Sequence, residues 1–216
     1  MLVRCCCDSR ICGEKEATIP PATASERKDA QTVVLHDGRR ADAQDFARNL
    51  AVTLTRRNAD EALGLHLEIL DNASIYIAGL DQDAGSVVQR WNASALEENR
   101  ICAGDYVAAA NGQRDTEAIQ EELTRGGTVD LVIMRPRLFT AVAVTPLGLR
   151  MRYDIQGSSL MVAQLLDTGA VGAGALQIKV GDRIVALNGK AASPEEMLED
   201  IKNSKQVELT ISRCPD

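Results

Sequence analysis

The feature of this 216-residue sequence that most constrains its fold is an internal repeat. Three short motifs occur twice in the same order: Leu63-Gly64-Leu65 and Leu147-Gly148-Leu149, Gly104-Asp105 and Gly181-Asp182, and Asn111-Gly112 and Asn188-Gly189. A supersecondary unit present twice gives such a pattern. The first two motifs lie farther apart in the first copy, which therefore carries about seven additional residues between them.

Each copy predicts the same succession of strands and one late helix. Apolar residues alternate with polar ones after Leu63 and again after Leu147, which is typical of half-buried strands. A short apolar strand follows each Gly-Asp and ends at Asn-Gly, a pair suited to a tight turn with positive φ. The pattern then predicts a helix over 116–125 in the first copy, and a closing strand follows each helix.

The second late helix has the clearest start signal in the chain. Ser193 stands where an N-cap is expected, Pro194 suits the first helical position, and Glu196 completes a capping box. Met197, Leu198 and Ile201 follow at the spacing of an inward helical face. We therefore predict a well-defined helix from residue 194.

Composition limits the partners that we expect. Aromatic residues make up only 3% of the chain, so the cores are expected to be aliphatic, and the net charge of −7 disfavours nucleic acid. No apolar run is long enough to cross a bilayer, and the N-terminus lacks the apolar region of a secretory signal. We therefore expect a cytoplasmic protein. The sequence does not indicate an oligomeric state.

The N-terminal region predicts a solvated tail and linker over residues 1–46. Its composition is largely Glu, Lys, Ala, Thr, Asp and Arg, which does not favour a packed core. Cys5, Cys6 and Cys7 are adjacent, with Arg4 and Arg10 nearby, and two readings stay open for them. They are either S-acylated, which would hold the chain at the cytoplasmic face of a membrane, or simply exposed thiols.

Neither a catalytic site nor a metal site is expected. The two histidines, His36 and His66, lack a second ligand or a catalytic partner at a useful spacing, and the cysteines lack paired zinc-ligand spacing. The sequence contains no Gly-x-Ser-x-Gly motif, no P-loop and no His-Glu-x-x-His motif. We therefore predict a protein that is not an enzyme and needs no cofactor.

The order of these motifs resembles the PDZ domain, in which a Φ-Gly-Φ loop (Φ, apolar) precedes the second strand and Gly-Asp precedes the fourth. The resemblance implies an α+β, mainly β fold with two partly open β-barrels. Each barrel would have five to six strands and one or two helices. We expect domains at 47–136 and 139–213, after the tail of residues 1–46.

In that family a partner's C-terminal or internal extended peptide adds as a strand beside the second strand, with the late helix as the other wall of a groove. The resemblance therefore implies an adaptor or scaffold protein with the following peptide-binding residues: Leu63, Gly64, Leu65, Leu67, Thr116, Gln120 and Leu123 in the first copy, and Leu147, Gly148, Leu149, Met151, Leu198 and Ile201 in the second.

The two copies do not follow the family pattern equally well. Ala62 and Pro146 stand where the family often has the first loop glycine, and only the first copy has basic residues upstream, Arg56 and Arg57, that could hold a carboxylate. The alternative is that the repeat is structural or self-associating, with one or both grooves inactive. An enzymatic function ranks last.

Overall fold

The computed structural model describes residues 14–18, 49–167, 169 and 177–215. Its elements in chain order are β1 (Glu14–Thr18), β2 (Asn49–Thr55), β3 (Leu65–Glu68), β4 (Ile75–Leu80), α1 (Val87–Ser94), β5 (Tyr106–Ala110), α2 (Thr116–Thr124), β6 (Thr128–Met134), β7 (Arg137–Val144), β8 (Leu149–Asp154), β9 (Leu160–Leu165), β10 (Arg183–Leu187), α3 (Pro194–Asn203) and β11 (Gln206–Arg213), with a 3-10 turn at Glu97–Asn99. No helix among these residues is long and apolar enough to span a bilayer.

The chain divides into two compact units. The first contains an antiparallel sheet in the order β2-β6-β5-β4-β3, and the second contains one in the order β1-β8-β9-β10-β11-β7. The mainly β prediction and the strand counts of five and six are therefore confirmed. The end strands of each sheet do not pair with one another within the described ranges, so neither sheet is a closed barrel.

Each unit has its own aliphatic core, as the low aromatic content predicts. In the first unit, the inner faces of β2 and β6 meet the buried faces of both helices, including Val88 of α1 and Ile119 of α2. Trp91 packs partly buried against this cluster, and its indole N–H donates to Asn99 O at 3.2 Å. In the second unit, the inward face predicted for α3 is confirmed, since Met197, Leu198 and Ile201 are all buried.

The start of α3 is also confirmed. The Ser193 hydroxyl accepts from the Glu196 N–H, and the Ser193 N–H donates to Glu196 Oε2 at 2.9 Å, so both halves of the capping box are present. These two groups of Ser193 lower the pKa of Glu196, the N–H more than the hydroxyl, because both donate to its carboxylate.

The repeat extends to individual hydrogen bonds. Both Asn-Gly turns have positive φ at both residues, as predicted: 49° and 81° in the first unit, and 51° and 73° in the second. The Asn111 side chain accepts from the Asp130 N–H at 2.9 Å, and the Asn188 side chain accepts from the Glu208 N–H at the same distance. The two copies are thus equivalent in their turn chemistry.

The aspartates of the two Gly-Asp motifs are structural. Asp105 accepts from the Cys102 N–H at 2.8 Å and lies 2.5 Å from Arg135 Nη1. Asp182 accepts from the Lys179 N–H at 2.7 Å and is bound by two nitrogens of Arg213, at 2.6 and 2.7 Å. Each buried carboxylate therefore closes a turn and anchors an arginine next to the end of the closing strand.

One segment of the predicted linker is a strand. Glu14–Thr18, within the region expected to be a solvated tail, forms β1 and pairs antiparallel with β8. The prediction was wrong for this segment because its polar sequence has no apolar alternation, and its stability comes from a partner far away in the chain. The remaining residues of the region lie outside the described part of the chain.

Candidate functional site

The first candidate site is the edge of β3 and the loop that leads into it. β3 pairs with β4 on one side only, and among the described residues nothing pairs with its other edge. Leu65 and Leu67 are half-buried and pack against the cluster that contains Ile119 and Leu123 of α2. An unpaired edge with apolar side chains beside a helix is the arrangement that accepts an added strand.

The loop glycine is required by its backbone and by its surroundings. Gly64 has φ of +82°, and a Cβ there would lie 2.8 Å from both Cβ and Oγ of Ser86 and 3.0 Å from Cγ1 of Val88. The Val88 N–H donates to Leu63 O, and the Asp81 N–H donates to Gly64 O, both at 2.9 Å. The two loop carbonyls are therefore held against α1 and the end of β4.

The N–H groups of the same loop, unlike its carbonyls, have no hydrogen-bond partner among the described residues. No acceptor within the described ranges binds the N–H of Leu63 or of Gly64. In the second unit the glycine carbonyl is held in the same way, since the Leu166 N–H donates to Gly148 O at 2.9 Å, and Gly148 has φ of +73°. Unpaired N–H groups in a turn with positive φ form a main-chain site suited to an anion.

Arg56 does not have the role that its position suggests. Its guanidinium donates to three backbone carbonyls: Glu61 O at 2.9 Å, Arg125 O at 2.5 Å and Leu123 O at 2.6 Å. The expectation that Arg56 could hold a ligand carboxylate is therefore replaced by a structural role. It satisfies carbonyls at the end of α2 and ties that end to the loop.

An ion pair also supports this loop. Glu61 binds Arg90 of α1 through both carboxylate oxygens, and the Arg57 N–H donates to it at 2.5 Å. These hydrogen bonds, from Arg90 first and Arg57 second, lower the pKa of Glu61. The loop is therefore fixed to both helices of its unit through Arg56 and Glu61.

The residues predicted on α2 have mixed surroundings. Leu123 is buried, Gln120 is half-buried, and the Gln120 side chain donates to Thr116 O at 3.2 Å. Thr116 is buried, and its hydroxyl donates to Asn72 O at 2.9 Å. Thr116 is thus engaged with the β3–β4 connection, whereas Gln120 remains accessible.

In the second unit, the corresponding edge is occupied. β1 lies along β8, with Ala17 opposite Met151 and Thr18 opposite Arg150. The predicted groove residues of this unit are all buried, and five of them belong to its core: Leu147, Leu149, Met151, Leu198 and Ile201. The sequence indicates the strand β8 but not the segment that pairs with its edge.

The remaining candidate residues form no further site in the described part of the chain. Cys5, Cys6 and Cys7 lie outside the described residues. Within the described ranges, no group of His, Cys, Asp or Glu side chains is arranged to hold a metal ion. His66 is exposed on β3, and its Nε2 lies 2.6 Å from Asp81 Oδ1.

Comparison with solved structures gives a weak similarity to a known protein, and the other two comparisons found none. No protein-family model and no curated protein matches the chain. A solved structure, "Structure of INAD PDZ45 in complex with NG2 peptide", is similar at 15% identity and a TM-score of 0.35, and the match covers 79% of this chain and 91% of that chain. A similarity of this size does not carry that protein's fold or function to this chain.

Proposed function

We propose that this chain is a peptide-binding adaptor made of two PDZ-like domains, and that it captures extended segments of partner proteins by β-strand addition. The proposed domains are residues 47–136 and 139–213. The shared element order, the paired turns and the two equivalent Φ-Gly-Φ loops support this proposal. We propose no catalytic activity and no cofactor.

The open edge of β3 is the observation that carries the proposal. An extended peptide there can continue the sheet through main-chain hydrogen bonds, with Leu65 and Leu67 offering apolar contact. The free N–H groups of Leu63 and Gly64, at the start of the strand, are suited to a terminal carboxylate. Partner C-termini are therefore the proposed ligands of the first unit, with Gln120 contributing to side-chain selection.

A variant of Leu67 tests this groove. Leu67→Lys puts a charge on the half-buried apolar surface beside β3, so we expect at least about tenfold weaker peptide binding. The control is Leu96→Lys, since Leu96 belongs to the same unit and is 66% exposed. Peptides selected from an array of free C-termini would be titrated by fluorescence polarisation, with amidated copies alongside.

The outcomes separate three cases. Weaker binding by Leu67→Lys alone, together with loss on amidation, supports capture of C-termini at β3. Binding that survives amidation supports an internal segment as the ligand. Equal binding by both variants contradicts a site at β3.

The second candidate function is structural, with the grooves used inside the molecule or for self-association. One observation favours it: the β8 edge already holds β1. The absence of array ligands for the full chain, together with retained folding, would favour this alternative over the adaptor.

We also propose that Cys5, Cys6 and Cys7 are S-acylated and place the chain at the cytoplasmic face of a membrane, because adjacent cysteines near Arg4 and Arg10 suit such a surface. Fractionation of cells that express the wild type or the triple Cys→Ser variant tests this. Equal membrane fractions would contradict it.

A further inference from the structure

The strand β1 lies where a ligand of the second unit would lie. It extends the sheet at the β8 edge in antiparallel register over five residues, from Glu14 opposite Asp154 to Thr18 opposite Arg150. Its partner strand follows the Leu147-Gly148-Leu149 loop, as β3 follows the loop of the first unit. The inference drawn from this rests on the proposed function, which assigns ligand binding to these two edges.

The side chains of β1 contact both sides of the sheet with alternating chemistry. Ala17 packs against the core cluster of the second unit, and Lys15 Nζ lies 2.8 Å from Glu195 Oε1 in the first turn of α3. On the other face, Glu16 Oε1 lies 3.8 Å from Arg152 Nε. Three successive residues therefore each have a complementary contact: Lys15 with an acidic side chain, Glu16 with a basic side chain and Ala17 with the apolar core.

The direction of β1 shows what kind of segment the site holds. Its C-terminal residue, Thr18, is opposite Arg150, next to the loop end of β8, but the chain continues with Ile19 and has no carboxylate at this point. The segment is thus held through its main chain and side chains and not through a chain terminus.

We propose that Glu14–Thr18 is the resident ligand of the second groove, and that this groove selects internal extended segments with a basic residue facing Glu195 and a small residue two positions later. A partner segment of that pattern binds only by displacing β1. The second unit therefore differs from the first in both ligand class and availability.

The expected size of the effect follows from tethering. A strand on the same chain acts at an effective concentration on the order of 1 mM. If the same strand as a free peptide binds with a Kd of roughly 100 μM, it weakens the apparent affinity of any competitor about tenfold. Release of β1 should therefore raise the apparent affinity for a competitor about tenfold.

The test uses the full chain with residues 14–18 replaced by Gly-Ser-Gly-Ser-Gly. The control carries the same replacement at Ala22–Glu26, which leaves β1 intact. The probe is a fluorescent peptide of residues 13–19, acetylated and amidated. We expect the released variant to bind it about tenfold more tightly than the wild type and the control do.

Charge exchange identifies the groove. In the released variant, Glu195→Lys should weaken binding of the probe, and a probe carrying Lys15→Glu should restore it. If the released variant does not fold, Lys15→Glu in the full chain serves instead, because loss of the ion pair to Glu195 should also increase binding of the unmodified probe.

Several outcomes would overturn the inference. Equal probe binding by wild type and released variant would show that β1 does not compete, although strand addition itself would stand. No binding by the folded released variant would make the β1–β8 pairing purely structural. Self-association of the wild type that disappears in the released variant would assign β1 to a second copy. None of these results bears on C-terminal peptides at β3, so failure of the proposed function remains distinguishable.

Discussion

Replacement of Gly64 by alanine is a direct test of the loop geometry. An L-residue at φ of +82° costs roughly 1–2 kcal/mol, and the new Cβ would lie only 2.8 Å from Cβ and Oγ of Ser86, an overpacking that costs about 1–3 kcal/mol more. We therefore expect Gly64→Ala to lower the free energy of unfolding of the first unit by about 2–5 kcal/mol.

Gly112 provides the matched control. Its φ is +81°, but a Cβ there would have no atom of the described residues within 4 Å, so Gly112→Ala should cost only the backbone term of roughly 1–2 kcal/mol. The difference between the two variants isolates the contact with Ser86. Ser86→Gly should restore part of the stability of Gly64→Ala, because Ser86 makes no side-chain capping bond whose loss would offset the gain.

Urea unfolding followed by fluorescence measures this difference for the first unit specifically, because Trp91 is the only tryptophan in the chain and packs against that core. Equal destabilisation by Gly64→Ala and Gly112→Ala would refute the reasoning, because it would mean that the loop does not approach Ser86. Failure of Ser86→Gly to recover any stability would lead to the same conclusion.

Three further predictions concern stability. Asp182→Ala leaves Arg213 without its buried carboxylate and should cost about 2–4 kcal/mol in urea unfolding followed by circular dichroism; additivity with Arg213→Ala would contradict the pairing. Ser193→Ala removes one half of the capping box and should cost about 1 kcal/mol, and an unchanged midpoint would contradict this. The lowered pKa of Glu61 gives the folded state stability that is present above the ordinary value of 4.5 and lost as pH falls through the lowered pKa, so the advantage of wild type over Glu61→Gln should shrink with acidification; a constant advantage would contradict it.

The parts of the fold that the sequence predicted are those set by local chemistry. The Asn111-Gly112 and Asn188-Gly189 turns require positive φ, and few residues other than Asn and Gly adopt it readily. The helix start at Ser193 follows from a side chain and a backbone group three residues apart. Such features could be identified because the interacting atoms lie close together in the sequence.

The parts that were missed depend on contacts between distant segments. β1 is polar, and only its pairing with β8 shows that it is a strand. The alternation after Leu63 places Glu68 on the polar face of its strand, but Glu68 is buried, next to a register shift between His66 and Leu67 that simple alternation does not predict. Arg56 was expected to be able to hold a ligand carboxylate, but its guanidinium donates to three backbone carbonyls that are distant from it or local in ways the sequence does not indicate.

The sequence therefore describes the two candidate grooves to different extents, because it does not show that the edge of β8 is already paired. Leu63, Gly64 and Leu65 lie beside the edge of β3, with which no described residue pairs. Gly148 shares the positive φ and the carbonyl hydrogen bond of Gly64, but the β8 edge beside it is paired with β1, five residues near the start of the chain. Repetition in the sequence shows that a fold is duplicated, and it does not show whether both edges are free.

Amide hydrogen exchange of the full chain, with and without a saturating C-terminal peptide from the array, tests strand addition most directly. The account predicts that the peptide increases protection in β3 at Leu65–Glu68 and leaves β8, already paired with β1, unchanged. Tight binding of the peptide with no added protection in β3 would contradict the account.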